Sequence, residues 1–439
     1  MNYTVSEVLR FVEENDVKFI RLAFCDIFGV QKNISIMPSE LPRAFDTGIS
    51  FDASSIDGFM NIEESDLFLV PDPSTLSILP WRPSRGRVVR FFCHIKYPDG
   101  RNFEGDGRYI LKTVLDELKE MKYVCKVGTE CEFYLFENDE EGFPTKIPFD
   151  RGTYFDIAPV DKGENIRREI CLTLEEMNIT PESSHHESGP GQNEIDFKYS
   201  DALTAADNLV SFKSVVKSVA ARNGLFASFM PKPLENESGS GLHINLSLFK
   251  NGLNIFKTEI NEHSLAAESF IAGILNRIED ITLFLNPLTN SYNRFGKFEA
   301  PEYVSWSHKN RSQLIRIPSA KGEHSRMELR SPDPACNPYI ALALIIKAGI
   351  EGIKNNATLE PPQDLNLYKA PKELSQIFRK LPNNLESAID KACESDFIKS
   401  VLPNKTFDKY VSIKRNELEK YSLTEDKNVF ETENYFYKI

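Results

Sequence analysis

The sequence predicts an α+β fold, its larger part built on an antiparallel, cleft-forming sheet flanked by helices. The first observation behind this is a pattern shared by four stretches far apart in the chain. They are Glu130-Cys131-Glu132-Phe133, Glu194-Ile195-Asp196-Phe197, Leu242-His243-Ile244-Asn245-Leu246-Ser247 and Arg326-Met327-Glu328-Leu329-Arg330. Each alternates apolar with polar side chains, and period two means a strand with one apolar and one polar face. A solvated face would carry Thr, Lys and Ser; paired carboxylates, a histidine and flanking arginines point to the wall of a cleft. The second observation is that helical stretches separate the strands without the strict βαβ alternation of a doubly wound sheet.

At 439 residues the chain can bury a large core and divide into two domains. Pro98-Asp99-Gly100 is a strong turn signal, so the expected division is a small domain over 1–103 and a larger one over 104–439. A net charge of −13 argues against a nucleic-acid partner, which needs a basic footprint. It suits a protein that gathers carboxylates around divalent cations. The 7 cysteines form no CxxC pair and sit mostly in apolar runs such as Phe91-Phe92-Cys93. They read as core residues in a reducing compartment. The first residues lack the basic and apolar regions of a signal peptide. The longest strongly apolar stretch, Ile340 to Ile346, is too short to span a bilayer. No membrane partner and a cytoplasmic location are the expectations.

In chain order, 5–15 reads as an amphipathic helix. Phe19–Phe24 and Val30–Ile36 read as a hairpin closed by Asp26-Ile27-Phe28-Gly29. Phe51–Phe59 reads as a polar loop, and Gly86–Phe92 as a strand. Helices are expected over Tyr109–Lys122, 163–177, 201–223 (ending at Asn223-Gly224) and 262–284. Asn337-Pro338 opens another, with Asn as cap and Pro in the first turn. From 371 onward helical segments alternate with Pro and Asn breaks.

The polar faces carry the chemistry. Glu130 and Glu132 lie two apart on one strand, and carboxylates that close resist ionisation unless a cation sits between them. His185-His186-Glu187 and Glu194 follow, joined by the Ser188–Gln192 loop; His243 and Glu328 complete the set. Either a structural or a functional role is open to His185 and His186. Five carboxylates and one imidazole are hard ligands suited to Mg²⁺ or Mn²⁺, and too many for one ion. Arg294, Arg311, Arg316, Arg326 and Arg330 suit phosphate or carboxylate recognition. No G-x-x-x-x-G-K-[ST], G-x-G-x-x-G or G-x-S-x-G motif is present. Several divalent ions without a nucleophile motif point to phosphoryl transfer.

At these residues the chain resembles the glutamine synthetase family, in its short bacterial form, across nearly its whole length. The resemblance rests on Asp52-Ala53-Ser54-Ser55-Ile56, Glu130-Cys131-Glu132-Phe133, His185-His186-Glu187 through Gly191-Gln192-Asn193-Glu194, and Lys232-Pro233-Leu234 leading into Gly239-Ser240-Gly241-Leu242-His243. It continues through Asn290-Ser291-Tyr292, Glu299-Ala300-Pro301, Asn310-Arg311-Ser312, Ile315-Arg316-Ile317-Pro318 and Arg326 to Pro334. It implies a β-grasp-like N-terminal domain and a homo-oligomer, a dodecamer of two hexameric rings with active sites between subunits. It further implies glutamate, ammonium and ATP as substrates, with two or more Mg²⁺ or Mn²⁺ ions per site. By resemblance, Glu132, Glu187 and Glu194 hold one ion, and Glu130, His243 and Glu328 the other. Gly239, His243, Arg294 and Arg330 fall to glutamate, and Asn245, Ser247, Arg311, Arg316 and Arg326 to the nucleotide. Asp52 matches the aspartate that a neighbouring subunit presents to ammonium, and Glu299 the glutamate of the flap that closes the site; Arg311 acts with them in catalysis.

The chain departs from the family pattern in places. Ser238 stands where the family has Asn, and Glu235-Asn236-Glu237 where it has Phe-Gly-Val. The flap Arg294-Phe295-Gly296-Lys297-Phe298-Glu299 is one residue short and lacks Pro-Gly. Asn61 replaces a feedback-related arginine, and Tyr368 resembles the modified tyrosine of longer relatives. The expected activity is ATP-dependent formation of glutamine through γ-glutamyl phosphate. The alternatives are a γ-glutamyl ligase using an organic amine and a non-catalytic regulatory homologue.

Overall fold

The computed structural model describes residues 3–60, 65–81, 86–257, 264–320, 322–369 and 377–439. Helix α1 (Val5–Glu14) starts where Thr4 and Glu7 exchange side-chain and backbone hydrogen bonds as a capping box. The predicted hairpin follows as β1 (Val17–Cys25) and β2 (Gln31–Ile36). The Asp26 carboxylate closes its turn by accepting from the N–H groups of Phe28 and Val30, both at 3.0 Å. After α2 (Leu41–Asp46) come β3 (Ile49–Asp52), β4 (Asp66–Pro71), β5 (Ser77–Ile78) and β6 (Arg87–Lys96). The sheet order is β2-β1-β6-β4-β3, with β5 beside β6. Only β1 and β6 run parallel; the other pairs are antiparallel.

This corrects one expectation. Phe51 and Asp52 lie in strand β3, not in a loop, because Ile49 and Phe51 point into the core and pair across from Leu69 and Leu67. The chain leaves the strand only at Ala53, where the Asp52 carboxylate accepts from Ser54 N–H at 2.9 Å. Asn61 lies outside the described residues.

The second sheet has 11 strands in the order β15-β16-β17-β13-β7-β10-β9. Its axis is β7 (Tyr123–Asn138), flanked by β10 (Gln192–Phe197) and β13 (Leu242–Lys250). Beyond β10 lies β9 (Pro181–His186); beyond β13 lie β17 (Met327–Leu329), β16 (Ile315–Ile317) and β15 (Trp306–His308). Short strands β8 (Pro144–Pro148), β11 (Ser200–Asp201) and β12 (Leu225–Ser228) pair with β7, and β14 (Leu253–Asn254) with β13. Every pair is antiparallel except β15 with β16. The cleft-forming antiparallel sheet read from the alternation is therefore present.

Helices α3 (Gly107–Glu120), α4 (Glu164–Glu176), α5 (Ala202–Arg222), α6 (Leu265–Leu285) and α7 (Pro338–Lys354) supply the cover. Helices α3 and α5 lie on β7, and α5 meets the apolar face of the sheet in a cluster of Phe133, Phe197, Phe212 and Phe229, whose rings are 4.9–5.9 Å apart. Helix α6 starts at Leu265 because the Ser264 hydroxyl accepts from Ala267 N–H; residues 258–263, where an earlier start was expected, lie outside the described set. In the tail, helices cover Leu385–Glu394, Asp396–Val401, Asn404–Leu423 and Lys427–Glu431, and 370–376 lie outside the described set. Among the described residues no helix is long and apolar enough to cross a membrane. All 7 cysteines are free, five of them buried, as core residues would be.

Two devices fix the sheets and helices relative to one another. The Arg108 guanidinium, buried at the start of α3, ion-pairs with Asp72, just past the end of β4, at 2.9 Å and with Asp207 of α5 at 3.0 Å. The Asn337 side chain caps α7 by accepting from Tyr339 N–H at 3.0 Å and donates to the Ile27 carbonyl of the first hairpin at 3.1 Å. Helices α6 and α7 cross with almost no gap. A Cβ on Gly352 would lie 2.0 Å from the Ser269 carbonyl oxygen, and one on Gly273 2.2 Å from that of Ala348. Because the obstacles are backbone atoms, Gly352→Ala should force the helices apart and cost about 1–3 kcal/mol. A lowered denaturation midpoint checks this; an unchanged midpoint would show that the crossing tolerates a methyl group.

Candidate active site

Strand register builds the site. His243 on β13 sits opposite Glu130 on β7, and Glu130 opposite Asp196 on β10. Two residues along β7, Glu132 sits opposite Glu194, which faces His185 on β9. On the other side, Glu328 on β17 pairs with Asn245 and with Arg316 on β16. Like charges directly opposite one another destabilise a sheet, so two carboxylate–carboxylate pairs in adjacent rows need another source of compensation. The first two of these rows form the floor of a cleft of about 690 Å³.

The carboxylates are not electrostatically equal. Burial and the negative charge of Glu187 push the Glu132 carboxyl up to about 8, although Gly241 N–H donates to it at 2.8 Å. Glu194 is pushed well above the usual carboxylate range by burial and then by Glu132, and Asp196 to about 6 by burial. Burial also opposes the Glu130 charge, but hydrogen bonds from His243 at 3.3 Å and Asn245 Nδ2 at 2.9 Å hold it down at about 2. Glu328 is fully buried, yet Arg330 and Arg316, each at 2.5 Å, keep it ionised. Burial keeps the His243 imidazole neutral, with Arg330 adding to the effect.

A neutral imidazole amid crowded carboxylates is a donor set waiting for a counter-charge, and divalent cations fit it. Ligand atoms of Glu130, Glu194 and His243 lie within 4.8 Å of one another, as do those of His185, Glu187 and Glu194. His243 Nδ1 is also 3.9 Å from Glu328, and its Nε2 is 4.0 Å from Glu132. Five of the six expected ligands line the cleft, and the two groups share Glu194 instead of following the expected split; Glu328 does not line it, its carboxylate being fully buried and paired with Arg316 and Arg330.

His185 and His186 separate in role. His185 Nε2 is 2.9 Å from Glu187 and 3.6 Å from Glu194, in the cleft. His186 is fully buried, with Nε2 at 2.9 Å from Asp150 and Nδ1 at 2.6 Å from the Glu187 carbonyl. Asp150 also accepts from the N–H groups of Gly152, Gly191 and Lys162. This saturated network is structural and ties the loop at 150–163 to the ends of β9 and β10.

The arginines ring the cleft. Arg294, Arg311, Arg316, Arg326 and Arg330 all line it, together with Gly239, Glu299 and Phe298. Gly239 is required by packing, since a Cβ there would meet Arg294 Cγ at 2.5 Å. Arg326 donates through Nε to Asn245 Oδ1 at 2.8 Å, and Asn245 in turn donates to Glu130. Asn245 and Ser247, expected at the nucleotide, are not among the cleft-lining residues. Asn245 bridges Arg326 to Glu130, and Ser247 donates to the Ser325 carbonyl at 2.9 Å. In the flap, Phe298 and Glu299 adopt left-handed φ of 45° and 66°, a conformation that costs non-glycine residues about 1–2 kcal/mol each. Glu299 nevertheless points inward, 3.7 Å from Arg330.

Asp52 does not line this cleft. It is exposed on the first sheet, and the Ser54 hydroxyl at 2.6 Å holds its carboxyl below the usual range. The cleft also contains residues not singled out from the sequence: Tyr154 and Phe155, Ser183, Gln192 and Asp196. Asp196 was legible, since it lies two positions from Glu194 on the same strand face. The stacked rings of Tyr154 and Phe155, 4.1 Å apart beside His185, come from a loop without periodicity and gave no signal.

Comparison with known proteins fits this geometry. A family model described as the glutamine synthetase catalytic domain matches residues 104–435, and one described as the glutamine synthetase β-grasp domain matches 16–98. A glutamine synthetase of Clostridium saccharobutylicum is 48% identical over 99% of both chains, and one of Methanosarcina mazei is 47% identical over 95% of both. The chain belongs to the glutamine synthetase family. A solved structure described as a GmaS/ADP complex superposes with a TM-score of 0.87 at 30% identity, covering 99% of both chains. The family's use of ATP and divalent metals accords with a cleft that joins crowded carboxylates to five arginines.

A pH experiment tests the carboxylate rows. A folded pKa of about 8 for Glu132, against an unfolded value near 4.5, means that the folded state favours the protonated form. Stability associated with that proton is present below about 4.5 and is lost as pH rises toward 8. The metal-free protein should therefore lose thermal stability between about pH 5 and pH 8. Excess Mg²⁺ or Mn²⁺, or Glu132→Gln, should flatten the profile. A flat profile in the metal-free wild type would contradict the assignment.

Proposed function

We infer that the protein is a glutamate–ammonia ligase, forming glutamine, ADP and phosphate from glutamate, ammonia and ATP through γ-glutamyl phosphate. The observation that carries this reading is the facing of Glu132 with Glu194 and of Glu130 with Asp196 in one arginine-lined cleft. It occurs in a chain 45–48% identical to glutamine synthetases over nearly its whole length.

The cations, Mg²⁺ or Mn²⁺, would be held by Glu132, Glu187 and Glu194 and by Glu130, His243 and Glu328; when bound they neutralise phosphate charge. His185, beside Glu187 and Glu194, belongs to the first of these groups as a neighbour. Arg294, Arg330 and Gly239 orient glutamate so that its side-chain carboxylate faces the nucleotide. Arg316 and Arg326 hold the nucleotide phosphates. Arg316 reaches Glu328 through Nε, and its Nη nitrogens have no other partner among the described residues. Arg311, exposed in the cleft, meets the charge that develops on the transferring phosphoryl oxygens. Ammonium is not a nucleophile, so a carboxylate must take its proton, and Asp52 is suited because its Ser54 hydrogen bonds keep it ionised. Glu299 and its flap exclude water from the acyl phosphate.

Asp52 lies outside its own chain's cleft, which supports a site completed by a neighbouring subunit in a dodecamer of two hexameric rings. The division into a β-grasp-like domain over 1–103 and a catalytic domain over 104–439, and a cytoplasmic location, belong to the same reading. Phosphate release with ATP, glutamate and divalent cation should require ammonium and yield glutamine. Arg311→Gln should lower kcat by about 10²–10³-fold while leaving metal-induced thermal stabilisation intact. Release with a primary organic amine but not with ammonium would move the acceptor to that amine. No release with either would overturn the ligase reading.

A further inference from the structure

The loop at 235–238 and the flap at 294–299 both border the cleft, and the structure joins them through one side chain. Lys232 is buried, only 5% exposed, at the foot of the loop. Its backbone is held on both sides by Asn290: Lys232 N–H donates to Asn290 Oδ1 at 2.7 Å, and Asn290 Nδ2 donates to the Lys232 carbonyl at 3.1 Å. Asn290 Nδ2 also donates to Glu431, in the last helix, at 2.7 Å. The position of Lys232 thus does not depend on its own ammonium.

The ammonium has two partners. It donates to the Glu237 carbonyl, the first of three successive loop carbonyls held by side chains. Tyr134 Oη donates to the Ser238 carbonyl at 2.6 Å, and Gln192 Nε2 to that of Gly239 at 3.1 Å while also donating to Glu132. The second partner is the flap: Lys232 Nζ lies 4.5 Å from the centre of the Phe298 ring. Phe298 is 55% exposed and left-handed. The flap closes this turn itself, Ala300 N–H donating to the Lys297 carbonyl at 3.0 Å and Gly296 N–H to the Ala300 carbonyl at 2.9 Å; these bonds shape the turn without anchoring it over the cleft, which takes contacts outside the flap. A partly desolvated ammonium on an aromatic face supplies one.

We propose that Lys232 is a positioning residue that latches the flap over the cleft, its ammonium clamping the Glu237 carbonyl of the glutamate-side loop and the Phe298 ring of the flap at once. This rests on the ligase reading above. The closed flap places Glu299 beside Arg330 and keeps water from the acyl phosphate. When the latch opens, water adds to the γ-carbonyl carbon and the bond from that carbon to the phosphate oxygen breaks. Inorganic phosphate leaves with the electron pair, glutamate is regenerated, and the released proton goes to solvent. The net leak is hydrolysis of ATP to ADP and phosphate without glutamine.

The test compares Lys232→Met, Phe298→Leu, Phe298→Tyr and the double variant Lys232→Met/Phe298→Leu, all as the assembled enzyme. Phe298→Leu leaves the Glu237 bond intact, so it isolates the flap contact. Both single variants should raise phosphate released per glutamine formed, and KM for glutamate, by about two- to ten-fold, with KM for ATP unchanged. Phe298→Tyr should behave as wild type, and the double variant should leak no more than the worse single one. Independently of turnover, both single variants should speed amide hydrogen exchange at 296–300. Slowed turnover with an unchanged phosphate-to-glutamine ratio and unchanged exchange would overturn the latch. So would a leak in Phe298→Leu that is absent in Lys232→Met. If wild type made no glutamine, the ligase reading would fall, and the exchange result alone would decide whether the latch exists.

Discussion

Glu132 and Glu194 face each other across two hydrogen-bonded strands in the middle of the larger sheet, and Glu130 and Asp196 do the same one row away. No folding requirement asks for this. Replacing any of the four by Thr or Val would relieve repulsion and improve the strand. The rest of the site can be read as the means of tolerating them. Arg330 and Arg316 neutralise Glu328, His243 and Asn245 support Glu130, and Gln192 with the Gly241 N–H supports Glu132. What protein groups leave uncompensated, the raised Glu194 and Glu132, is the charge that a divalent cation completes.

Holding like charges together requires a rigid support, and the architecture provides it on the opposite face. The apolar side of β7 packs on α3 and, through a cluster of phenylalanines, on α5, which resists bending of the strand that carries the carboxylates. Helices α6 and α7, pressed together at Gly273 and Gly352, close the layer behind. The buried Arg108 links to Asp72 and Asp207 extend the rigidity to the first sheet. Removing either carboxylate would leave the guanidinium incompletely neutralised away from water. These links tie the first sheet, which carries Asp52, to the helices behind the cleft.

The flap is set against this frame. It leaves the core at Arg294, which is itself buried, and turns through two left-handed residues before returning at Ala300. Within it, Gly296 N–H donates to the Ala300 carbonyl and Ala300 N–H to the Lys297 carbonyl, while its tip meets the cleft through Glu299 beside Arg330 and Phe298 beside Lys232. That arrangement suits an element that opens for substrate and closes for chemistry.

The alternation of apolar and charged residues in four stretches determined the fold class, the strand faces and the ligand residues. Period two assigns side chains to faces without any knowledge of partners. That is why Glu130, Glu132, Glu194, His243 and Glu328 were legible, and why Asp196 could have been. The crowding of arginines between 294 and 330 was legible too, and the family motifs added their division between glutamate and nucleotide, and the flap. Tertiary structure alone decided which strand lies beside which, and so that Glu132 opposes Glu194; register is set by packing and turns over the whole sheet. It also decided that His186 is spent on Asp150 while its neighbour His185 faces the cleft, because adjacent residues on a strand point to opposite sides and only burial says which side is which. Asn245 and Ser247, on the same polar face as His243, turned from the cleft to bridging bonds once Arg326 and Ser325 came alongside. The Phe51–Asp52 strand and the Tyr154–Phe155 pair were out of reach for a related reason. Short edges and loops carry too few residues for a period to appear, and their conformation is fixed by what they pack against.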